Sequence, residues 1–204
     1  MEIPMPFDRW ERIPRHPDWK YEYFDGAAQL SYRPRPLHVR RATGTPVTVT
    51  SRHDVRLLLG PDEGVRAFLA GFWRTEDPYR TVGDPDAWLD EGLERSFGRL
   101  AEPGGAVAEE GGEIIGAVLV ERPHRDETAP CLTWLAVRSG FRCDGVGTAL
   151  LAVLMPALRE AGTPELDSHA AVGNRASLAW HWRNGFAALP DPLAGYGWDA
   201  RRRR

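Results

Sequence analysis

The stretch from Cys131 to Gly162 constrains the fold of this chain more than any other part. It begins with residues 132–137, an apolar run of strand length that contains a β-branched residue and an aromatic residue. Apolar residues then recur at helical spacing up to Gly162, which is placed to end a helix; they are Val146, Ala149, Leu150, Val153, Leu154, Ala157 and Leu158. The pattern predicts a strand, a glycine loop and a helix.

The loop between this strand and this helix has the composition of an anion site. Gly145 and Gly147 let the backbone approach a ligand, and the first N–H groups of the helix have no partner within it. These donors and the helix dipole favour phosphate, and Arg142 adds a full positive charge. A plain tight turn explains the same spacing, and the motif lacks the third glycine of a Rossmann fingerprint and the lysine of a P-loop.

Two blocks carry a resemblance to one family. Val137, Arg142, Gly145 and Gly147 fall on a pattern that resembles motif A of the GCN5-related N-acetyltransferases, the GNAT superfamily. The segment 174–186 resembles motif B of the same family, in which an Asn opens a helix that closes with Gly-Phe. The resemblance implies a mixed, mainly antiparallel central sheet with helices on both faces. It also implies that the motif A strand and its successor separate where the substrates meet.

The resemblance implies acetyl-CoA as co-substrate, with its pyrophosphate on the loop amides and its pantetheine arm along the motif A strand. The implied contact residues are Leu135, Ala136, Val137, Arg142, Cys143, Asp144, Gly145, Val146, Gly147 and Thr148, with Asn174 and Ser177 from motif B. Asn174 fits equally well as the N-cap of its helix. No metal site is predicted, because the two cysteines, Cys131 and Cys143, lack metal-ligand spacing.

His181 stands where the family usually has a Tyr that resembles a general acid beside the CoA sulfur. Asn174, Ser177 and His181 share one helix face by their spacing, so the ring is expected to point toward the sulfur end of the cofactor. The alternative is a packed or solvent-facing residue, with water protonating the thiolate.

The identity of the general base is left open by the sequence. Family members often carry a Glu on the motif A strand, where this chain has Thr133 and Trp134. The remaining candidates are Glu121 at the end of the preceding strand, and His169 or Asp167 on the following one. For each of them an ordinary surface or ion-paired role is the alternative.

The chain divides by pattern into an N-terminal arm at 1–45, an acetyltransferase-like domain at 46–200 and a basic tail at 201–204. Within the arm, Asp25-Gly26 between two strand-like runs predicts a β-hairpin at 19–32. The arm is expected to pack on the core, cover the acceptor site or form a homodimer interface. Deletion of residues 1–44 is therefore expected to spare CoA binding.

The remaining elements of the domain follow from periodicity. Strands are predicted at 47–50, 55–59, 106–108, 113–120 and 165–171, with the last strands within 187–200; helices are predicted from Pro61 and over 86–100.

Charge bears on the partners. Residues 54–200 carry 13 basic and 23 acidic side chains, which favours an acidic cleft for a cationic acceptor, although solubility explains the excess equally well. Nucleic acid is not expected as a partner, because this acidic body outweighs Arg201 to Arg204. No apolar run of about 18 residues predicts a membrane helix, so a cytoplasmic location is expected.

Two functional hypotheses remain. The first is an acetyl-CoA-dependent N-acetyltransferase that acts on a small-molecule or protein amine. The second is a non-catalytic acyl-CoA-binding module whose arm contacts a protein, which the missing strand carboxylate favours.

Overall fold

The computed structural model describes residues 2–13, 19–32, 36–49, 52–75, 86–123, 128–171 and 174–190. Its strands are β1 (Glu2–Pro4), β2 (Trp19–Phe24), β3 (Ala27–Tyr32), β4 (Pro36–Ala42), β5 (Asp54–Leu58), β6 (Leu100–Glu110), β7 (Glu113–Glu121), β8 (Cys131–Val137), β9 (Glu165–Ala171) and β10 (Ala187–Ala188). Its helices are α1 (Phe7–Glu11), α2 (Glu63–Thr75), α3 (Asp86–Phe97), α4 (Val146–Glu160) and α5 (Arg175–Arg183), with a 3₁₀ turn at Ser139–Phe141.

Seven strands form a central sheet in the order β10-β4-β9-β8-β7-β6-β5. Neighbouring strands run antiparallel except β8 and β9, which are parallel. One face packs against α4 and α5, and the other packs against α2 and α3. This arrangement confirms the predicted fold class of a mixed, mainly antiparallel sheet with helices on both faces.

The two apolar cores explain why the middle strands read as continuous apolar runs. In β7, residues 115–120 are all buried; from 117 to 120 the side chains alternate between the two helical layers. Leu150 and Leu154 of α4 pack on one face of the sheet, and Leu69 of α2 and Leu93 of α3 pack on the other. The sheet is thus the middle layer of a three-layer domain.

Strand β4 lies inside the central sheet, although the sequence analysis assigned its residues to the arm. It pairs with β9 along its whole length and with β10 on its other edge. Leu37 and Val39 pack against the core on the α4 side, while His38 lies exposed between them in sequence. This alternation of apolar and polar residues is the strand signal that was missed. The sheet therefore begins before the predicted boundary at residue 46.

The predicted hairpin is confirmed. Strands β2 and β3 pair antiparallel around Asp25 and Gly26, which both have positive φ as a tight two-residue turn requires. Strand β1 adds to β3 and makes a separate three-stranded sheet. The rings of Phe7, Trp10 and Tyr23 lie 5.3 to 5.5 Å apart and form the aromatic contacts of this small unit.

Other predicted elements differ in extent. Residues 47–49 are not a strand, and Arg41 donates to the carbonyls of the two residues before them, Thr45 and Pro46. Strand β6 begins at Leu100, well before the predicted start at 106, and α3 ends at Phe97. Of the strands expected within 187–200, β10 is seen; residues 191–200 and the basic tail at 201–204 lie outside the described residues.

Candidate active site

A cleft opens between the parallel strands β8 and β9. Their pairing consists of two residue pairs, Cys131 with Asp167 and Leu132 with Ser168, although both strands continue for several residues. The other edge of β8 remains paired with β7 up to Val137. The strands thus separate at the place that the family resemblance implied.

A bulge at Thr133 determines which side chains of β8 face the α4 side of the sheet and which face the α2 side. Leu132 pairs with Val120 and Trp134 pairs with Leu119, so Thr133 has no partner on β7. The extra residue reverses the alternation of the strand. Leu132 faces the α4 side and so do Leu135 and Val137, whereas Trp134 and Ala136 face the α2 side.

The same alternation determines which backbone groups face the cleft. The N–H of Arg138 donates to Ile115 on β7 at 2.9 Å, so Ala136, two residues earlier, also directs its backbone toward β7. Leu135 and Val137 direct theirs toward the open edge, where the carbonyl of Val137 accepts a hydrogen bond from Arg142 Nε at 3.1 Å. Ala136 thus pairs with β7 and has a buried side chain, and its predicted contact with the cofactor stays a prediction.

The glycine loop leads from β8 into α4 through the 3₁₀ turn. Gly145, with φ of 81°, is the N-cap of α4, and as a glycine it provides no side-chain cap. Cys143 is exposed and also has positive φ, at 67°. Val146 is buried in the core, so it offers a ligand its backbone, and Thr148 is half-buried one turn into α4. The amides of the first turn are thus left for a ligand.

Gly147 serves the packing of two helices. A Cβ at this position would lie 2.9 Å from Nε1 of Trp180 on α5. This contact is a second reason for a glycine here, beside the predicted approach of pyrophosphate, which stays a prediction. Nε1 of Trp180 is buried, and within the described part of the chain it has no hydrogen-bond partner. A donor without a partner therefore lies beside the first turn of α4.

Arg142 and Asp144 place opposite charges on the glycine loop. The guanidinium of Arg142 lies over the ring of Phe72 on α2, at 5.4 Å from its centroid. Asp144 Oδ2 lies 3.1 Å from Nε2 of His53, a residue to which the sequence analysis gave no role.

Helix α5 carries the predicted motif B residues. The side chain of Asn174 accepts a hydrogen bond from the backbone of Ser177 at 2.9 Å, which confirms the N-cap interpretation. Ser177 Oγ lies 3.3 Å from Nδ1 of His181, so both residues lie on one helix face as predicted.

The ring of His181 is enclosed rather than open to the cleft. It is 2% exposed and contacts the rings of Trp180 and Phe186, each at 4.9 Å. Burial lowers the pKa of His181, and the hydrogen bond of Nδ1 to the carbonyl of Ser177, at 2.7 Å, acts in the opposite direction. The ring is therefore packed in the core, as in the alternative given in the sequence analysis, and does not point openly into the cleft.

Ser168 connects His181 to the base of the cleft, and the sequence analysis did not single it out. Its Oγ lies 2.9 Å from His181 Nε2 and 3.2 Å from the carbonyl oxygen of Leu132. Ser168 is 1% exposed and belongs to the last residue pair before the strands separate. A polar residue on the buried face of β9, between Leu166 and Ala170, was the available signal.

The base candidates lie apart from His181. Both oxygens of Glu121 are engaged, by the hydroxyl of Ser96 at 2.7 Å and by Arg99 at 3.6 Å, as the ion-paired alternative stated. His169 follows Ser168 directly and therefore lies on the opposite face of β9. There its Nδ1 is 3.6 Å from the Sγ of Cys131. The three predicted catalytic residues do not form one cluster.

The α2 side of β8 presents an aromatic surface. The rings of Trp73 and Trp134 meet edge to face at 5.7 Å, and Trp134 Nε1 donates to Ser96 at 2.8 Å. Carboxylates of α3 on this side have arginine partners, in the pairs Asp90 with Arg74 and Glu94 with Arg66.

The described residues contain neither a metal cluster nor a membrane-spanning helix. Among the described residues, no group of three His, Cys, Asp or Glu side chains could hold a metal ion. No helix within the same ranges is long and apolar enough to cross a membrane.

The free edge of β8 lies beside the N-terminus of α4, which begins after Gly145. This arrangement suits an extended, phosphorylated ligand. The sequence profile of the Acetyltransferase (GNAT) family matches residues 69–186, more than half of the chain, and the chain belongs to this family. No match was found among curated protein sequences.

Solved structures share this fold. A functionally unknown conserved protein from Staphylococcus epidermidis superposes with a TM-score of 0.55 at 14% identity, over 76% of this chain and 58% of that one. A GCN5-related N-acetyltransferase from Sphaerobacter thermophilus gives 0.53 at 19% identity, over 78% and 50%. The chain thus spans little more than half the length of these two proteins.

A third structure is covered almost completely. AAC(6')-Iy, in complex with the bisubstrate analogue CoA-S-monomethyl-acetylneamine, superposes with a TM-score of 0.51 at 21% identity, over 69% of this chain and 95% of that one. At these identities the likeness concerns the fold.

Proposed function

We propose that this protein is an N-acetyltransferase that moves the acetyl group of acetyl-CoA to a primary amine of a small, cationic acceptor. Transfer is direct, in a ternary complex. The observation that carries the proposal is the cleft between β8 and β9, which leads to the uncapped start of α4. A strand edge suits the amides of a pantetheine arm, and a helix N-terminus suits a pyrophosphate.

The residues that would hold the cofactor fit this order. The open backbone edge of Leu135 and Val137 would pair with the pantetheine arm, and the amides of the glycine loop would bind the pyrophosphate. Arg142, exposed beside the loop, would add a positive charge. The buried N–H of Trp180, which has no partner in the described part of the chain, is a further donor at this place.

The reaction forms one bond and breaks one. The nitrogen of a neutral amine attacks the thioester carbonyl carbon, the carbon–sulfur bond breaks, and the amine loses a proton while the thiolate gains one. Alignment of the two substrates supplies much of the rate. Residues of this chain are then needed to accept one proton and deliver the other.

His181 would deliver its proton through Ser168, because its own ring is buried. Nδ1 faces a carbonyl, which can only accept, so the proton of the neutral ring lies on Nδ1. Charging the ring adds a proton at Nε2, which donates to Ser168 and frees the serine hydroxyl to donate elsewhere. Ser168 is therefore the group through which His181 acts at the base of the cleft.

Of the three base candidates, His169 is the best placed, because Asp167 is paired with Arg40. His169 is exposed on the face of β9 that does not carry Ser168, whereas Glu121 is occupied by Ser96 and Arg99. On the same side of the sheet, Trp134 of β8 and Trp73 of α2 offer aromatic surfaces to an ammonium group. These features support a small amine that approaches from the α2 side.

A non-catalytic acyl-CoA-binding module is the second candidate. Its support is the absence of a carboxylate at Thr133 and Trp134 of β8 and the burial of His181. Such a protein would bind CoA and leave every amine unmodified.

One experiment separates the two candidates. Thiol release from acetyl-CoA is measured across a panel of diamines, aminosugars, arylalkylamines and peptides with free amino termini, and calorimetry measures CoA binding in parallel. The proposal expects turnover on at least one small amine, and CoA binding without turnover on any of them selects the binding module. An absence of CoA binding contradicts both.

A further inference from the structure

His53 connects the glycine loop, which follows β8, to β5 at the edge of the central sheet. It directly precedes β5, and its Nε2 lies 3.1 Å from Asp144 Oδ2 while its Nδ1 lies 3.5 Å from Glu110 Oε2. Its ring also meets Phe141 of the 3₁₀ turn edge to face, at 5.8 Å. The side chain is 11% exposed. Two segments distant in sequence, at 110 and at 141–144, therefore contact one imidazole ring beside the loop.

Asp144 is an unexpected residue for a loop that binds a polyanion. It directly precedes Gly145, the N-cap of α4, and its side chain is 69% exposed. A carboxylate turned toward the helix N-terminus would compete for the same amides and repel a phosphate group. Two unit charges about 4 Å apart interact by about 1 kcal/mol in bulk water and by more near a protein surface.

We infer that His53 is a positioning residue for cofactor binding. It holds the carboxylate of Asp144 toward β5 and thereby leaves the amides at the start of α4 to the pyrophosphate. His53 itself does not contact the ligand. The inference rests on the proposed function, since it presupposes CoA at the glycine loop.

Calorimetry of CoA binding with four proteins tests this role. His53→Phe keeps the ring contact with Phe141 and removes the donor, so CoA binding should weaken by about tenfold, which corresponds to about 1.4 kcal/mol. Asp144→Asn should bind CoA as tightly as the wild type or more tightly, and the double variant should match Asp144→Asn. If His53 merely supports the loop, the double variant stays as weak as His53→Phe, and the inference is overturned.

A second ligand isolates the pyrophosphate. S-acetylpantetheine lacks it, so His53→Phe should bind this ligand as the wild type does; an equal loss for both ligands overturns the inference. The loss of CoA affinity in His53→Phe should also be smaller at high salt, because the charge of the exposed Asp144 is then screened. Glu110→Gln, which alters the other partner of His53, is the control and should leave CoA affinity unchanged.

The outcomes for the two proposals are distinct. Wild-type protein that binds no CoA overturns the proposed function and this inference with it. Wild-type binding that His53→Phe leaves unchanged overturns the inference alone. If His53→Phe does not fold, His53→Leu replaces it, and the comparison with its Asp144→Asn double variant decides in the same way.

Discussion

The imidazole of His181 and the hydroxyl of Ser168 form a buried pair, with Nε2 and Oγ 2.9 Å apart. The pair links helix α5 to the point where β9 leaves β8, because Ser168 also lies 3.2 Å from the carbonyl of Leu132. One proton on Nε2 therefore changes which group the serine donates to. In the proposed mechanism, the residue at the family's general-acid position acts through this serine.

Removing either member of this pair should slow catalysis without loosening the cofactor. We expect His181→Phe and Ser168→Ala each to lower kcat by roughly 10²–10⁴-fold, with little change in the Kd of CoA. The double variant should be no slower than the slower single variant, because both residues serve one proton path. Steady-state kinetics under conditions where chemistry limits the rate measure these effects.

Two conservative variants serve as controls for that prediction. Ser168→Thr keeps the hydroxyl and should retain most of the activity, while His181→Tyr should recover much of the loss and extend activity to higher pH. A His181→Phe variant with near wild-type kcat would remove His181 and Ser168 from the mechanism.

The free energy of unfolding should decrease at acidic pH because His181 is buried. Its pKa is lowered in the folded state by burial, so the unfolded chain binds a proton more readily. The contribution of the neutral ring is then fully present above the unfolded pKa of about 6.5 and is lost as the pH falls through the folded pKa. Urea unfolding at pH 7.5 and at pH 5.5 should show a smaller acid loss for His181→Gln than for the wild type. An equal loss contradicts this prediction.

Gly147→Ala should destabilise the protein through the contact of α4 with α5. The new Cβ would lie 2.9 Å from Trp180 Nε1, and such overpacking costs about 1–3 kcal/mol. Gly140→Ala, in the 3₁₀ turn before α4, is the control, since nothing beyond its chain neighbours lies within 4 Å of a Cβ built there. Denaturation midpoints compare the two, and equal midpoints would show that Trp180 yields without cost.

Arg41 and its neighbour Arg40 should differ sharply in their effect on stability. Arg41 is 2% exposed and donates to the carbonyls of Asn184, Thr45 and Pro46, so Arg41→Met leaves these groups without their donor. A loss of about 3 kcal/mol is expected. Arg40→Met breaks a partly exposed pair with Asp167 and Glu165 and should cost about 1 kcal/mol or less. Chemical denaturation distinguishes them, and similar losses contradict the assignment.

The effect of deleting the arm on folding and CoA binding should depend on which residue the truncated protein starts from. Removal of residues 1–44 takes away β4, which pairs with β9 and β10, so we expect loss of folding rather than the intact CoA binding that the sequence indicated. Removal of residues 1–32 takes away the small sheet and should leave CoA binding in place. Circular dichroism and calorimetry measure both variants. A folded 1–44 deletion that binds CoA would contradict this view of β4.

The amino-acid sequence by itself determined the elements that depend on local pattern. The strand, glycine loop and helix at 131–160 follow from apolar spacing and two glycines, and the hairpin follows from Asp25-Gly26. The N-cap role of Asn174 is equally local, because its partner lies three residues away. Such features need no knowledge of distant contacts, so the fold class and the family could be predicted.

Only the tertiary structure decided how the site residues meet. The bulge at Thr133, the place of β4 in the sheet and the contact of His53 with Asp144 each depend on pairing between distant segments. The burial of His181 against Ser168 likewise depends on how α5 packs on β9. A one-residue shift in strand register changes which face a side chain occupies, and sequence spacing does not encode that shift. The motifs of this chain thus follow from its sequence, whereas the direction of each side chain follows from packing.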